Sequence, residues 1–208
     1  NIFGSPNYRN LTFSMASGTS KTLSLNGNVA VSGILHFNNN IKAILGPNDV
    51  KIKATGSLTS SAGFSVNRMF VTDGEGILLK EGTSVAAFTS AMNGTGIFPV
   101  GNSGGLYTPF EITSLSASIM PTASISVRSV PARQPNIPYY NNALTKYWHV
   151  ETANLVGISA NLRFTYHASE VIGSATLYTP RHWNGITLAT PPGSAASTPF
   201  VITGTGTI

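Results

Sequence analysis

Between Asn10 and Phe64 the apolar residues recur in short alternating sets: Leu11/Phe13, Leu23/Leu25, Val29/Val31, Leu35/Phe37, Ile41, Ile44, Val50/Ile52 and Leu58. A spacing of two puts each set on one face of a strand, and the Gly, Asn, Ser and Pro residues between sets turn the chain before a helix could complete itself. Short strands on short connections predict coils of a β-solenoid or a tight meander. Asn26-Gly27 suits a two-residue hairpin or the corner of a coil. Asn38-Asn39-Asn40 predicts another corner, because Asn side chains satisfy nearby backbone groups and tolerate a left-handed conformation. No strict repeat length appears, so the segment reads as solenoid-like rather than as a counted repeat.

Residues 65–97 continue the short pattern. Asp73-Gly74-Glu75-Gly76 between two apolar runs is a hairpin signal, and Ala86 to Met92 suits a short helical turn or another strand. After Pro99 the alternations become longer and more aromatic: Tyr107 to Ile112, Ile125 to Val130, Tyr147 to Glu151, Leu162 to Tyr166, Ala175 to Tyr178 and Phe200 to Ile202. Their spacing predicts an antiparallel β-sandwich of about seven strands. The expected fold is all-β with little helix, comprising a β-solenoid-like domain over residues 1–97 and a β-sandwich domain over residues 98–208.

Only 9% of the 208 residues are charged, well below the roughly 25% of an average soluble domain, and polarity comes instead from Ser, Thr, Asn and Gly. Such a surface offers little charge repulsion between neighbours, which suits an extracellular or densely packed setting and association with copies of itself. The net charge of +5 is spread singly from Arg9 to Arg181, apart from Lys51 and Lys53, so no basic run predicts nucleic-acid binding. With no cysteine, stability must come from packing. No apolar run is long enough for a membrane helix, and the start, without Met or a signal-peptide layout, points to a processed chain or an excised piece.

Gly101-Asn102-Ser103-Gly104-Gly105 is one residue from the sequence around a trypsin-like nucleophile. That chemistry needs a His to take the Ser proton and an Asp to hold the His. The only upstream His, His36, alternates with Leu35 and Phe37 and faces outward. The stretch therefore reads as a turn. His149 and Glu151, with His167, Glu170 and His182, could supply a zinc set, but a solvent-facing pair opposite Trp148 and Val150 is the simpler reading. Asp73 with Glu75 is too small a set for calcium, and Asp73, Glu75 and Glu81 are hairpin-tip carboxylates rather than a glycosidase pair. No catalytic, cofactor-binding or metal residue is assigned, and no cofactor is expected. Tyr107, Tyr178, His182 and Trp183 could form a stacking platform for glycans, or could pack in a core or at a sandwich edge.

The segments "PNYRNLTFSMASGTSKTLSLNGNVAVSGILHF", "GIFPVGNSGGLYTPFEIT" and "LTKYWHVETANLVGISANLRFTYHASEV" resemble large secreted surface proteins of the Bacteroidota, many exported by the type IX secretion system. The resemblance rests on Tyr8, Asn10, Leu11 and Thr12; Lys21, Thr22 and Leu23; Val31, Gly33 and Leu35; Phe98 to Gly101; Tyr107, Thr108 and Pro109; and Tyr147 and Trp148. It implies a cell-surface, adhesive or filament-forming role and no catalytic residues. The expected function is that of a non-catalytic extracellular structural subunit, a homo-oligomer or polymer of itself. The strand around Phe200 and Ile202 would add to an open edge of the next copy or pair within its own sandwich. Binding of surface glycans is the alternative.

Overall fold

A computed structural model describes residues 7–15, 21–89, 96–138, 141–175, 178–183, 188–189, 193–197 and 200–206, with side-chain surroundings as far as Trp183. The described chain is all-β with two 3-10 turns, and it contains no helix long and apolar enough to cross a membrane.

In the first circuit of the chain, β1 (Asn7–Tyr8), β2 (Leu11–Phe13) and β3 (Lys21–Ser24) each start a different sheet. The second circuit adds β4 (Val29–Val31), β5 (Ile34–Phe37) and β6 (Ile41–Ile44), and the third adds β7 (Val50–Ile52), β8 (Ser57–Ser60) and β9 (Met69–Val71). Each strand lies parallel to its counterpart one circuit earlier. In the fourth circuit β10 (Leu78–Glu81) extends the first sheet, a 3-10 turn (Val85–Phe88) follows, β11 (Ile97–Phe98) comes next, and β12 (Val100–Gly101) extends the third sheet.

The alternation read from the sequence sets what points inward. Val29, Val50 and Leu78 form one buried column, and Val31, Ile52 and Lys80 form the next. Across the interior Phe13, Phe37 and Phe70 meet edge to face, with ring centroids 5.0 and 5.1 Å apart. Such contacts add to the burial of the rings themselves.

Corners hold successive circuits together. Asn28 Oδ1 accepts the Asp49 N–H at 2.9 Å, and Asp49 Oδ1 accepts the Ile77 N–H at 3.1 Å. Asn10 does the same for Ile34. Asn26-Gly27 and Asn38-Asn39-Asn40 both lie at corners between sheets. Asp73-Gly74-Glu75-Gly76 is not a hairpin, because β9 and β10 belong to different sheets. Its glycines are needed for stacking: a Cβ on Gly76 would stand 2.1 Å from the Asn48 carbonyl oxygen, and one on Gly74 would stand 2.3 Å from that of Gly46.

Pairing turns antiparallel beyond β10. Four of the six strands expected separately in the second half are drawn into two long ones, β13 (Phe110–Val130) and β15 (Tyr147–Thr165), which pair along most of their length through three register shifts; Ala175 to Tyr178 lies partly outside the described residues. The shift between Ile119 and Ser124 absorbs Pro121 and the left-handed Thr122. β13 pairs with both β10 and β11, so the fourth circuit is covered by a strand running the other way. Between the long strands lies β14 (Ala143–Leu144). After β15 come a 3-10 turn (Ala168–Glu170), β16 (Val171–Ile172), β17 (His182–Trp183), β18 (Leu188–Ala189), β19 (Gly193–Ser197) and β20 (Phe200–Gly206). The first sheet therefore runs β1-β4-β7-β10-β13-β15-β20-β19, continuous across residue 97. One apolar cluster spans both halves, from Phe13 through Phe98 to Ala160.

Candidate functional site

Gly101 to Gly105 forms a tight turn. Asn102 exchanges hydrogen bonds with Leu106, backbone N–H to carbonyl at 3.0 Å and side-chain oxygen to N–H at 3.0 Å, while Gly105 takes φ +83°. The Ser103 N–H is held by Asp73 Oδ2 at 2.8 Å. Gly101 lies so close to Met69 that a Cβ there would approach the sulfur to 2.5 Å. A protease reading would need a base beside the Ser103 hydroxyl; the neighbour the structure supplies is a carboxylate on the backbone.

All seven carboxylates lie in the described residues and each has a partner. Asp49 and Asp73 accept backbone N–H groups of neighbouring circuits. Glu75 meets Arg128 at 2.7 Å, Glu81 faces Lys51 and Lys53 at 3.5 and 4.0 Å, and Glu111 contacts Arg163. Glu151 lies 3.4 Å from His149, two residues away on the same side of β15. Among the described residues no three of His, Asp and Glu are placed to share a metal ion. His167 and Glu170 instead form a capping box, with the His167 N–H donated to Glu170 Oε2 at 2.8 Å.

The most concentrated polar chemistry lies around Lys146, which sequence reading passed over. Its ammonium donates to the hydroxyls of Thr108 and Ser129, the latter at 2.6 Å, and faces Glu170 Oε1 at 3.6 Å. The Trp148 ring lies 4.7 Å away, with its N–H donated to the Thr108 carbonyl at 2.9 Å. The Ser129 N–H in turn donates to Thr72 Oγ1 at 2.9 Å. Burial lowers the Lys146 pKa to about 8, opposed by the Glu170 and Asp73 charges. A Lys beside a Ser is an arrangement that can activate a nucleophile, but Ser129 is 0% exposed and Lys146 4%. The cluster acts as a strut tying the end of β9, both ends of β13 and the turn at Glu170. The second buried cation, Lys80, donates to the Ile97 carbonyl at 2.7 Å above the Phe98 ring, and burial lowers its pKa to about 7. A Lys in an alternating strand reads as outward-facing, which hid Lys80; Lys146, just before β15, meets partners that share no spacing with it in the sequence.

Of the four aromatic candidates, Tyr178 is withdrawn into the interior. Tyr178 is buried against Tyr166; its hydroxyl shares its one proton between the Ala143 and Ile172 carbonyls, each 2.8 Å away, and accepts the Ile172 N–H. Tyr107 is half-buried beside Glu111, its backbone carbonyl 3.1 Å from His167 Nε2, and burial raises its hydroxyl pKa. His182 and Trp183 are half-buried on β17, paired with β18.

Phe200 and Ile202 lie on β20, and their side chains fall outside the described ones. The β20 backbone pairs antiparallel with β15, Ile202 opposite Phe164, and on its other side with β19. Comparison with protein-family models, with curated proteins and with solved structures finds no match to this chain.

Proposed function

We propose that this chain is a non-catalytic structural segment of an extracellular surface protein of the kind its sequence resembles. In this reading it is a short β-solenoid followed by an antiparallel β-rich part, and it joins copies of itself through strand edges. The observation that carries this is the use made of its ionisable groups: six of the seven carboxylates, all but Glu151, and both buried lysines tie together segments far apart in the sequence. Parallel stacking of successive circuits also supports a scaffold, because each circuit contacts mainly its neighbours and the stack has two ends of different character. Among the described residues β1, β2 and β3 are the outermost strands at one end of the stack; at the other, β13 covers the fourth circuit. Open strand edges pair readily with other chains.

Electron microscopy of the full chain beside a version ending before Thr198 tests this. Filaments from the full chain that vanish on truncation, with the shorter chain still folded by circular dichroism, are the expected result. Monomers from both would overturn it, and glycan arrays with Trp183→Ala as control would then test the adhesin alternative.

A further inference from the structure

We infer that Asn26, at the corner between β3 and β4, is a site of spontaneous covalent modification: the Gly27 backbone nitrogen closes on the Asn26 side-chain amide and expels ammonia. The bond that forms joins the Gly27 nitrogen to Asn26 Cγ, the bond that breaks is Cγ–Nδ2, and the Gly27 amide proton leaves with the ammonia. Water then opens the resulting succinimide. Breaking its bond to Cγ gives aspartate, and breaking its bond to the Asn26 carbonyl carbon gives isoaspartate. The reaction needs no oxidant or cofactor.

Ring closure requires a following N–H that is not engaged, a side chain that is not anchored, and space for the approach. Asn26 is exposed, and among the described residues neither its side chain nor the Gly27 N–H has a hydrogen-bond partner. Gly27 has no Cβ to crowd the attack. The flanks, by contrast, are pinned: the Leu25 N–H donates to the Ile44 carbonyl at 3.0 Å, the Leu25 carbonyl accepts Asn48 Nδ2 at 2.9 Å, and Asn28 Oδ1 accepts the Asp49 N–H at 2.9 Å. Asn102-Ser103 presents the opposite case. Asn102 Oδ1 accepts the Leu106 N–H at 3.0 Å, and the Ser103 N–H donates to Asp73 Oδ2 at 2.8 Å. Attack by the Ser103 nitrogen must first give up a bond to a charged acceptor, which slows it by about tenfold or more. At Asn26 the product places a carboxylate in a stretch that has none before Asp49. Isoaspartate also lengthens the backbone between the two links to the second circuit.

The experiment ages the full-length chain in mildly alkaline buffer, folded and in parallel unfolded in urea, and follows the amide-to-acid exchange at each asparagine by tandem mass spectrometry. Comparing each site with itself in the unfolded chain removes the intrinsic difference between Asn-Gly and Asn-Ser. Asn93-Gly94 and Asn184-Gly185, which lie outside the described residues, are resolved as separate products. Exchange at Asn26 in the folded chain within a few-fold of its unfolded rate, with Asn102 slowed by about tenfold or more, is the expected result. Asn26→Gln, whose longer side chain disfavours the five-membered ring, is expected to remove the product at position 26 and leave the others unchanged. Equal folded-to-unfolded ratios at Asn26 and Asn102, or a folded chain that keeps Asn26 intact, would overturn the inference.

Discussion

Lys80 stands in register beside Ile52, third in a column that begins with Val31, and its ammonium reaches past the apolar stem to the Ile97 carbonyl at 2.7 Å. The methylenes continue the hydrophobic column, and the charge is spent on a carbonyl at the end of the stack. That placement, with Lys146, makes the chain's stability depend on pH in an unusual direction.

Burial lowers the pKa of Lys80 to about 7 and of Lys146 to about 8, whereas lysines in the unfolded chain hold their protons to about 10.5. From pH 7 upward the unfolded state therefore binds more protons, and stability rises with pH, by at most about 1.4 kcal/mol per lysine per pH unit. Burial raises the pKa of Tyr107, Tyr166 and Tyr178, so above about pH 10 the unfolded chain ionises first and stability falls. Thermal melts from pH 6.5 to 11 are expected to peak near pH 9–10; a melting temperature that falls steadily from pH 7 contradicts this.

Lys80→Met keeps the aliphatic stem and removes the buried charge. Stability at pH 7 is expected to rise, by about 1 kcal/mol or more, and the pH 7–10 slope to flatten. Urea titrations at pH 7 and pH 9.5 read both effects, and a loss at pH 7 would show that the interactions of the ammonium, with the Ile97 carbonyl and the Phe98 ring among them, outweigh desolvation.

Lys146→Met should behave oppositely at pH 7, because it strands the Glu170 carboxylate, 5% exposed as a side chain, beside the Ser129 and Thr108 hydroxyls. Breaking a buried pair by removing one partner costs about 3–5 kcal/mol. The double variant Lys146→Met/Glu170→Gln is expected to recover part of that loss, and a double-mutant cycle in urea with no coupling would disprove the strut.

Gly76→Ala is expected to destabilise by roughly 2 kcal/mol or more, since its Cβ would stand 2.1 Å from the Asn48 carbonyl oxygen of the circuit below. Gly46, with nothing within 4 Å of a Cβ but φ +61°, isolates conformational strain from clash. Chemical unfolding of Gly46→Ala beside Gly76→Ala should show the larger loss at Gly76.

Phe37→Ala removes the ring that touches Phe13, Phe64 and Phe70, for an expected loss of about 3–5 kcal/mol. Thr59→Ala, which loses only an exposed hydrogen bond to His36, should cost well under 1 kcal/mol; equal losses in a urea series would mean that the phenylalanine stack does not hold the circuits together.

By itself the sequence determined the local chemistry of the strands. Alternation set the inward faces of β4, β5 and β7, whereas in β6 Ala43, not Ile44, is buried with Ile41; Gly and Asn set the corners, because side-chain period and turn preference are properties of neighbouring residues. It also marked Gly101 to Gly105 as a turn. Tertiary structure alone decided which strand lies beside which. Parallel partners sit between 20 residues away, as Lys21 and Ile41 do, and 30, as Phe70 and Val100 do, with corners of different length absorbing the difference. The bonds joining them are between backbone groups that every residue carries, so no residue type records the pairing. The same reason hid the merging of separate alternations into β13 and β15, where bulges restore register. It also hid the Lys146 strut, whose members at positions 72, 108, 129, 146 and 170 share no spacing and meet only when the sheets are in place.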